Sequence, residues 1–325
     1  MALLALWVAG LFAYQLPGPG WLSAGVAVLW LLAALWAALT VARGKGTKRW
    51  TGFYVASVAL AGLWWLLLTP RQDRDWADDV AQRLHVESFD GRHVVLDNVR
   101  DFTWRTETDH DARWVRREYD LNQLRSADLV LSYWMGPAIA HTLVSFGFDD
   151  GRHLVFSLEI RKEQGESFSA LGGFFRRFEM TLVASEETDI LRTRTNARGE
   201  DVYLYRLHGL DRGQLKALFA AYLDEAKQLD AAPAFYNTAT SNCTTIVFDL
   251  ARHIAPGLPL DYRLLLSGYL AEYAQEVGAL VPGVPYAELH AKGRVTERAL
   301  HMAADENYST VIRRGIPGTE RDPQR

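Results

Sequence analysis

Only one cysteine, Cys243, occurs in the 325 residues. No internal disulfide can form, and any role for the thiol is a solitary one. Charge is missing from the start of the chain, where no Asp, Glu, Lys, Arg or His precedes Arg43. The net charge of −4 lacks the basic excess that nucleic acid demands, which argues against that partner. The histidines other than His141 show no H-E-x-x-H or comparable spacing, so no metal is expected. Without a G-x-G-x-x-G, a Walker loop or a G-x-S-x-G elbow, neither a cofactor nor a serine hydrolase is expected. Repeats and low-complexity tracts are also missing.

Apolar sequence dominates the beginning of the chain. Three runs, Ala2–Leu16, Trp21–Ala42 and Thr51–Thr69, predict transmembrane helices. A span needs roughly 20 apolar residues, which the second and third supply, and the first is short. A signal peptide is the alternative for the first run. It would need a basic leading region, and Pro17-Gly18-Pro19-Gly20 reads instead as a tight turn between spans. The segment Arg43-Gly44-Lys45-Gly46-Thr47-Lys48-Arg49 carries four positive charges and no negative one. Short basic loops stay in the cytoplasm, so residues after Pro70 are expected outside a bacterial inner membrane, in the periplasm. Trp21 and Trp50 stand where interfacial anchors belong. The linear division is an anchor over 1–70, a connector over 71–79, a soluble domain over 80–317 and a loose tail over 318–325.

The soluble part reads as mixed α and β. Strands are predicted at His93–Val99, Phe102–Thr108 and Leu129–Trp134, and Asp111–Tyr119 receives no assignment. The strongest signal is a hairpin of His141–Phe148 with Arg152–Ile160, whose even positions alternate apolar. A three-residue loop, Asp149-Asp150-Gly151, sets Val144 across from Phe156, Phe146 across from Leu154, and His141 across from Glu159. Gly172-Gly173 suggests a mobile turn. Asp211 caps a helix with the stripe Leu215, Leu218, Phe219, Tyr222 and Leu223. A further helix begins at Ser241 or Asn242 and runs to Ile254, with Ile246, Val247, Leu250 and Ile254 toward a core.

That last helix places Cys243 in its first turn. There the dipole and unpaired N–H groups favour a thiolate and can hold an oxyanion. The competing reading makes Cys243 a small apolar side chain on the inner face of the helix. A thiol nucleophile needs an imidazole base and a group that orients it. His141 and Glu159 supply that pair by register, although a solvated polar pair on a hairpin has the same appearance. Nothing local brings Cys243 to His141.

Several words in the chain are similar to a known family. Asp128–Phe146 (DLVLSYWMGPAIAHTLVSF), Ser157–Arg161 (SLEIR), Phe235–Thr245 (FYNTATSNCTT) and Leu264–Tyr273 (LLLSGYLAEY) resemble the N-terminal periplasmic domain of Lnb, a lipoprotein N-acyltransferase. The resemblance runs from about Asn98 to about Pro317. It implies an α+β, permuted papain-like (NlpC-type) domain with an antiparallel sheet and packed helices. It further implies Cys243 as nucleophile, His141 as base and Glu159 as orienting group, with Asn242 a possible helper. The activity implied is that of a cysteine acyltransferase moving a phospholipid acyl chain to a lipoprotein amine. Two alternatives stand beside it, a cysteine amidase or peptidase acting on cell-wall or peptide amides, and a non-catalytic membrane-tethered scaffold.

Overall fold

The computed structural model describes residues 2–45 and 47–319. The apolar beginning forms α1 (Ala2–Gln15), α2 (Gly20–Ala42) and α3 (Thr47–Leu67). The first stops at Leu16 because a residue before proline disfavours the helical region. Two segments, Gly20–Ala42 and Lys48–Leu67, are long and apolar enough to cross a bilayer, and Ala2–Gln15 is shorter. The third helix begins before the expected Thr51. Lys48 and Arg49 are good helix formers and enter its first turn instead of lengthening the loop. The Trp30 indole donates to the Ala5 carbonyl at 2.9 Å, and its ring stacks on Tyr54. Each aromatic thus ties two of the helices together.

The chain divides into two compact units that interleave in sequence. One comprises the residues up to Arg74 with Ser167–Glu179 and Ala234–Ala239; the other comprises Asp75–Glu166, Met180–Pro233 and the chain from Thr240. A linear split into anchor, connector and soluble domain does not capture this arrangement, since two internal stretches belong with the apolar helices.

Among the described residues, ten strands follow the anchor: β1 (His85–Phe89), β2 (His93–Arg100), β3 (Thr103–Trp104), β4 (His110–Asp111), β5 (Trp114–Asp120), β6 (Leu124–Tyr133), β7 (Ala140–Phe148), β8 (His153–Arg161), β9 (Glu179–Glu186) and β10 (Asp201–Arg206). The helices are α4 (Ala170–Phe174), α5 (Glu187–Arg192), α6 (Arg212–Ala231), α7 (Cys243–Arg252), α8 (Leu270–Glu276), α9 (Tyr286–Gly293), α10 (Thr296–Leu300) and α11 (Tyr308–Ile312). The fold class is mixed α+β. The main sheet runs β1-β2-β9-β8-β7-β6-β10 with β5 paired to β2, and β3 pairs with β4 apart from it.

The β7–β8 hairpin has the register its loop demands. Val144 faces Phe156 and Phe146 faces Leu154. Phe148 N–H donates to the Arg152 carbonyl at 3.0 Å, and Gly151 takes φ +84°. Both faces are buried, because helices cover both. Val130, Leu143, Val155 and Val202 pack with residues of α5, α10 and α11. Their neighbours in the pleat, Leu129 and Leu131, pack with Phe248 of α7 and with α8. Phe146 and Phe156 meet Phe219 and Tyr222 of α6, whose predicted stripe is buried throughout. Asp211 caps this helix in a box with Gln214.

Several local expectations are corrected. The strand predicted over Phe102–Thr108 shrinks to Thr103–Trp104, because Thr106 Oγ1 accepts from the Thr108 and Asp109 N–H groups and turns the chain. The unassigned Asp111–Tyr119 region contains β5, held on β2. Gly172 and Gly173 are not a turn but lie buried in α4. A Cβ on Gly173 would stand 2.3 Å from Thr238 Oγ1. In α7 the buried residues are Cys243, Thr244, Phe248 and Leu250, with Ile246 and Val247 only half-buried; the helix ends at Arg252, and Ile254, in the turn beyond it, is also half-buried. In the tail, Thr319 Oγ1 donates to the Arg313 carbonyl at 2.8 Å; residues 320–325 lie outside the described part.

The start of β7 is anchored by Ser267-Gly268. Ser267 Oγ accepts from Ala140 N–H at 2.9 Å and lies 2.6 Å from Ala140 O, while Gly268 N–H donates to Ala138 O at 3.0 Å. A Cβ at Gly268 would come within 2.1 Å of the Pro137 carbonyl oxygen. Gly268→Ala is therefore expected to destabilise the fold by about 1–3 kcal/mol. Gly257→Ala, with nothing within 4 Å, is the control. Chemical denaturation of the two variants, followed by tryptophan fluorescence, checks this, and equal midpoints would contradict it.

Candidate active site

Asn242 starts α7. Its side-chain oxygen accepts from Thr244 N–H at 2.8 Å and Thr245 N–H at 2.9 Å, and Thr245 Oγ1 accepts from Asn242 N–H at 2.9 Å. This reciprocal cap fixes the first turn and settles the Ser241 or Asn242 alternative in favour of Asn242. Ile246 N–H returns to the Asn242 carbonyl. Cys243 is thereby held at the first helical position, buried at 9% exposure. Among the described residues its own N–H is the donor of this turn that the cap does not use.

His141 and Glu159 come together from β7 and β8. The His141 Nε2 lies 2.7 Å from Ser157 Oγ and 3.1 Å from Glu159 Oε1. Ser157 Oγ donates to the same carboxylate oxygen at 2.7 Å. With its single proton committed there, the hydroxyl accepts from Nε2–H. The contact is thus more than a direct His–Glu pair, since Ser157 bridges it.

Glu159 is held from behind by a buried relay. Arg194 Nη2 stands 3.0 Å from Glu159 Oε1, and Arg194 Nη1 stands 3.1 Å from Glu200 Oε2. Ser132 on β6 donates to that Glu200 oxygen. Arg194 belongs to the π-turn Thr193–Ala197 after α5, and such turns recur at functional sites. Removing one member of a buried pair strands a charge, at a cost of about 3–5 kcal/mol. The relay therefore fixes the carboxylate in place.

The β7–β8 ladder delivers the thiol to this set by ending early. Its last pair is Leu143 with Ser157. Thr142 is not paired with Leu158, and its backbone N–H donates instead to the Cys243 sulfur. Thr142 Oγ1 also meets Thr244 Oγ1 at 3.0 Å, joining strand to helix. The Cys243 thiol hydrogen-bonds the His141 side chain.

Charge follows from this geometry. Burial pushes the Cys243 thiol up, but the His141 imidazolium and the Thr142 N–H outweigh it and leave the thiol below its ordinary range. Burial pushes His141 down, yet Glu159 and Cys243 win and raise it to about 9. Glu159, pushed up by burial, is held well below the usual carboxylate range by His141, Arg194 and Ser157. A thiolate–imidazolium pair is the form favoured at neutral pH.

The structure therefore brings Cys243, His141 and Glu159 together and leaves Asn242 as the helix cap. Ser157, Arg194 and Glu200 escape a reading of the sequence. Ser157 could have been found from the period of two, two positions from Glu159 on the same side of the strand. Among the described residues no group of three or more His, Cys, Asp or Glu is placed to hold a metal.

His141 is expected to titrate near pH 9. Because that value is raised, the stability it contributes is complete below about pH 6.5 and fades as pH rises through about 9. Glu159→Gln should move the titration down by one unit or more. Histidine-selective NMR titration checks both, and a wild-type value near 6.5 that Glu159→Gln leaves in place would refute the assignment. Iodoacetamide should alkylate wild-type Cys243 faster than free cysteine at pH 7, and His141→Ala should slow it at least tenfold.

No curated protein and no solved structure matches the chain significantly. A family model does, that of the Lnb N-terminal periplasmic domain, over residues 110–268. This stretch holds His141, Ser157, Glu159, Arg194, Glu200 and Cys243 and ends at the Ser267-Gly268 anchor. Together with the apolar helices, it points to a membrane-anchored protein whose residues 110–268 match the Lnb N-terminal periplasmic domain family.

Proposed function

We propose that this protein is a periplasmic cysteine acyltransferase of the inner membrane. Its three N-terminal helices would place the basic segment containing Arg43, Lys45, Lys48 and Arg49 on the cytoplasmic side. The observation that carries the reading is the Cys243–His141 contact, backed by Ser157, Glu159 and Arg194.

In the first half-reaction the Cys243 thiolate attacks the carbonyl carbon of a phospholipid ester. The oxyanion forms against the Cys243 N–H at the start of α7. Collapse breaks the ester C–O bond, and the departing alkoxide takes the imidazolium proton from His141. A thioester and a lysophospholipid result. In the second half-reaction a neutral amine, such as a lipoprotein N-terminus, attacks the thioester. Now-neutral His141 takes the amine proton, the C–S bond breaks, and the thiolate–imidazolium pair is restored. Glu159 and Ser157 keep the imidazole oriented in both halves.

A lipid donor is favoured over a water-soluble amide by the surroundings of β7. Trp134 and Met135 precede the strand, and Leu265 and Leu266 precede its Ser267-Gly268 anchor. All four are exposed, at 44%, 51%, 54% and 38%. Large apolar side chains left in water at both segments that meet at the start of the strand carrying His141 suit an acyl chain. Hydrolysis of a cell-wall or peptide amide is the competing outcome, and a scaffold without catalysis is the third.

Lipoprotein N-acylation should be restored by the wild-type chain in a strain lacking its usual acyltransferase. It should be abolished by Cys243→Ala and fall by about 10²–10⁴-fold in His141→Ala. Intact-mass analysis after mixing with phospholipid should show one acyl group on Cys243. Acylation unchanged in both variants would refute the proposal, and consumption of peptidoglycan fragments instead of phospholipid would select the hydrolase.

A further inference from the structure

The shortness of α1 leaves a gap that another part of the chain fills. Its 14 residues rise about 21 Å at 1.5 Å each, against a hydrocarbon thickness of about 30 Å. At its C-terminal end lies the stretch Ser167–Glu179, which joins the unit of the apolar helices although it is inserted between β8 and β9. The Phe175 ring fills a notch at Gly10, where a Cβ would stand 2.2 Å from Phe175 Cζ. It also stacks on Tyr14, and Gln15 Nε2 donates to the Phe175 carbonyl at 2.6 Å. Arg176 reaches the end of α3, with its guanidinium 3.8 Å over the Trp65 ring and donating to the Trp65 carbonyl at 2.8 Å. One short stretch thus caps the C-terminal ends of two parallel helices.

Beyond Ser167, the side chains this stretch leaves uncovered are apolar. Leu171 is 62% exposed and Phe174 43%. Its backbone meets the condition for lying at a hydrocarbon boundary, because its polar groups are paired locally. Ser169 Oγ accepts from Gly172 N–H, Gly173 N–H returns to Ser169 O, and Phe175 and Arg177 N–H both reach Gly172 O. On the apolar helices of the same unit, Leu6, Leu60, Leu63 and Leu66 are likewise uncovered. Arginine stacked on tryptophan at a helix end is the arrangement of a membrane–water interface.

We propose that residues 168–176 form a fourth membrane element that does not span, whose Leu171 and Phe174 enter the acyl region of the periplasmic leaflet. The occupant of this surface is lipid. The proposal rests on membrane anchoring and not on acyl transfer, so it stands or falls separately from the catalytic reading.

The test uses the full chain with Cys243→Ser, reconstituted in phosphatidylethanolamine and phosphatidylglycerol liposomes. Leu171→Cys, Phe174→Cys and, as control, the exposed Glu107→Cys are each labelled with an environment-sensitive fluorophore. Labels at 171 and 174 should be quenched several-fold more by lipids spin-labelled on the acyl chain than the control, and several-fold less by iodide. Labels that match the control would overturn the proposal, as would labels shielded only after a lipoprotein is added. A second variant, Leu171→Glu with Phe174→Glu in the otherwise native chain, should alkylate at Cys243 at the wild-type rate. In a chain carrying Cys243→Ser and Phe168→Cys, where the label has one site, the same glutamate pair should partition out of lipid contact, read as at least a fivefold loss of quenching. If quenching survives both glutamates, the lipid contact is not made by these side chains and the proposal fails.

Discussion

One missing hydrogen bond shapes the site. Had the β7–β8 ladder continued, Thr142 N–H would pair with Leu158 O. The ladder ends at Leu143 and Ser157, and the released N–H is turned to the Cys243 sulfur. A buried N–H left without a partner costs about 1–3 kcal/mol, so strand and helix hold each other in place. The thiolate gains a donor, and the strand end gains an acceptor.

The same economy of partners runs through the polar layer behind it. Glu159 Oε1 takes contacts from His141, Ser157 and Arg194, and Arg194 passes the charge on to Glu200. Among the described residues, the buried charges of Arg100, Asp128, Glu187, Asp189, Arg194 and Arg313 each have an opposite charge beside them, which is the condition for keeping them ionised away from water. An orienting carboxylate fixed in this way cannot rotate with the imidazole. The imidazole instead conforms to the carboxylate, with Ser157 setting the distance.

The membrane unit and the helix that carries the thiol are neighbours in chain order. The unit's stretch Ala234–Ala239 is followed after three residues by Cys243, so the helix that carries the thiol begins almost where the chain leaves the membrane unit. Phe178 O accepts from Tyr236 N–H, and Thr238 Oγ1 donates to Ala170 O, joining the two inserted stretches within that unit. An anchor could have been a simple tether. Here it is built partly from loops of the extramembrane chain.

Local pattern by itself determined the apolar helices, the start of α7 to within one residue and the hairpin register, because each depends on residues a few positions apart. Period-two alternation and a loop ending in Gly151 leave one register, and that register alone placed His141 opposite Glu159. The lengths of such elements were less legible. Lys48 and Arg49 could extend a helix or a loop, and Thr106 turned a stretch that alternation reads as a strand. Only the tertiary structure decided that Cys243 meets His141, that Arg194 fixes Glu159, and that Ser167–Glu179 belongs with the apolar helices. The Thr142–Thr244 contact crosses 102 positions, and it forms because α7 packs on β7 where the ladder stops. Contacts of that kind carry no period in the sequence; they arise from which surfaces are left to bury once the local elements have formed.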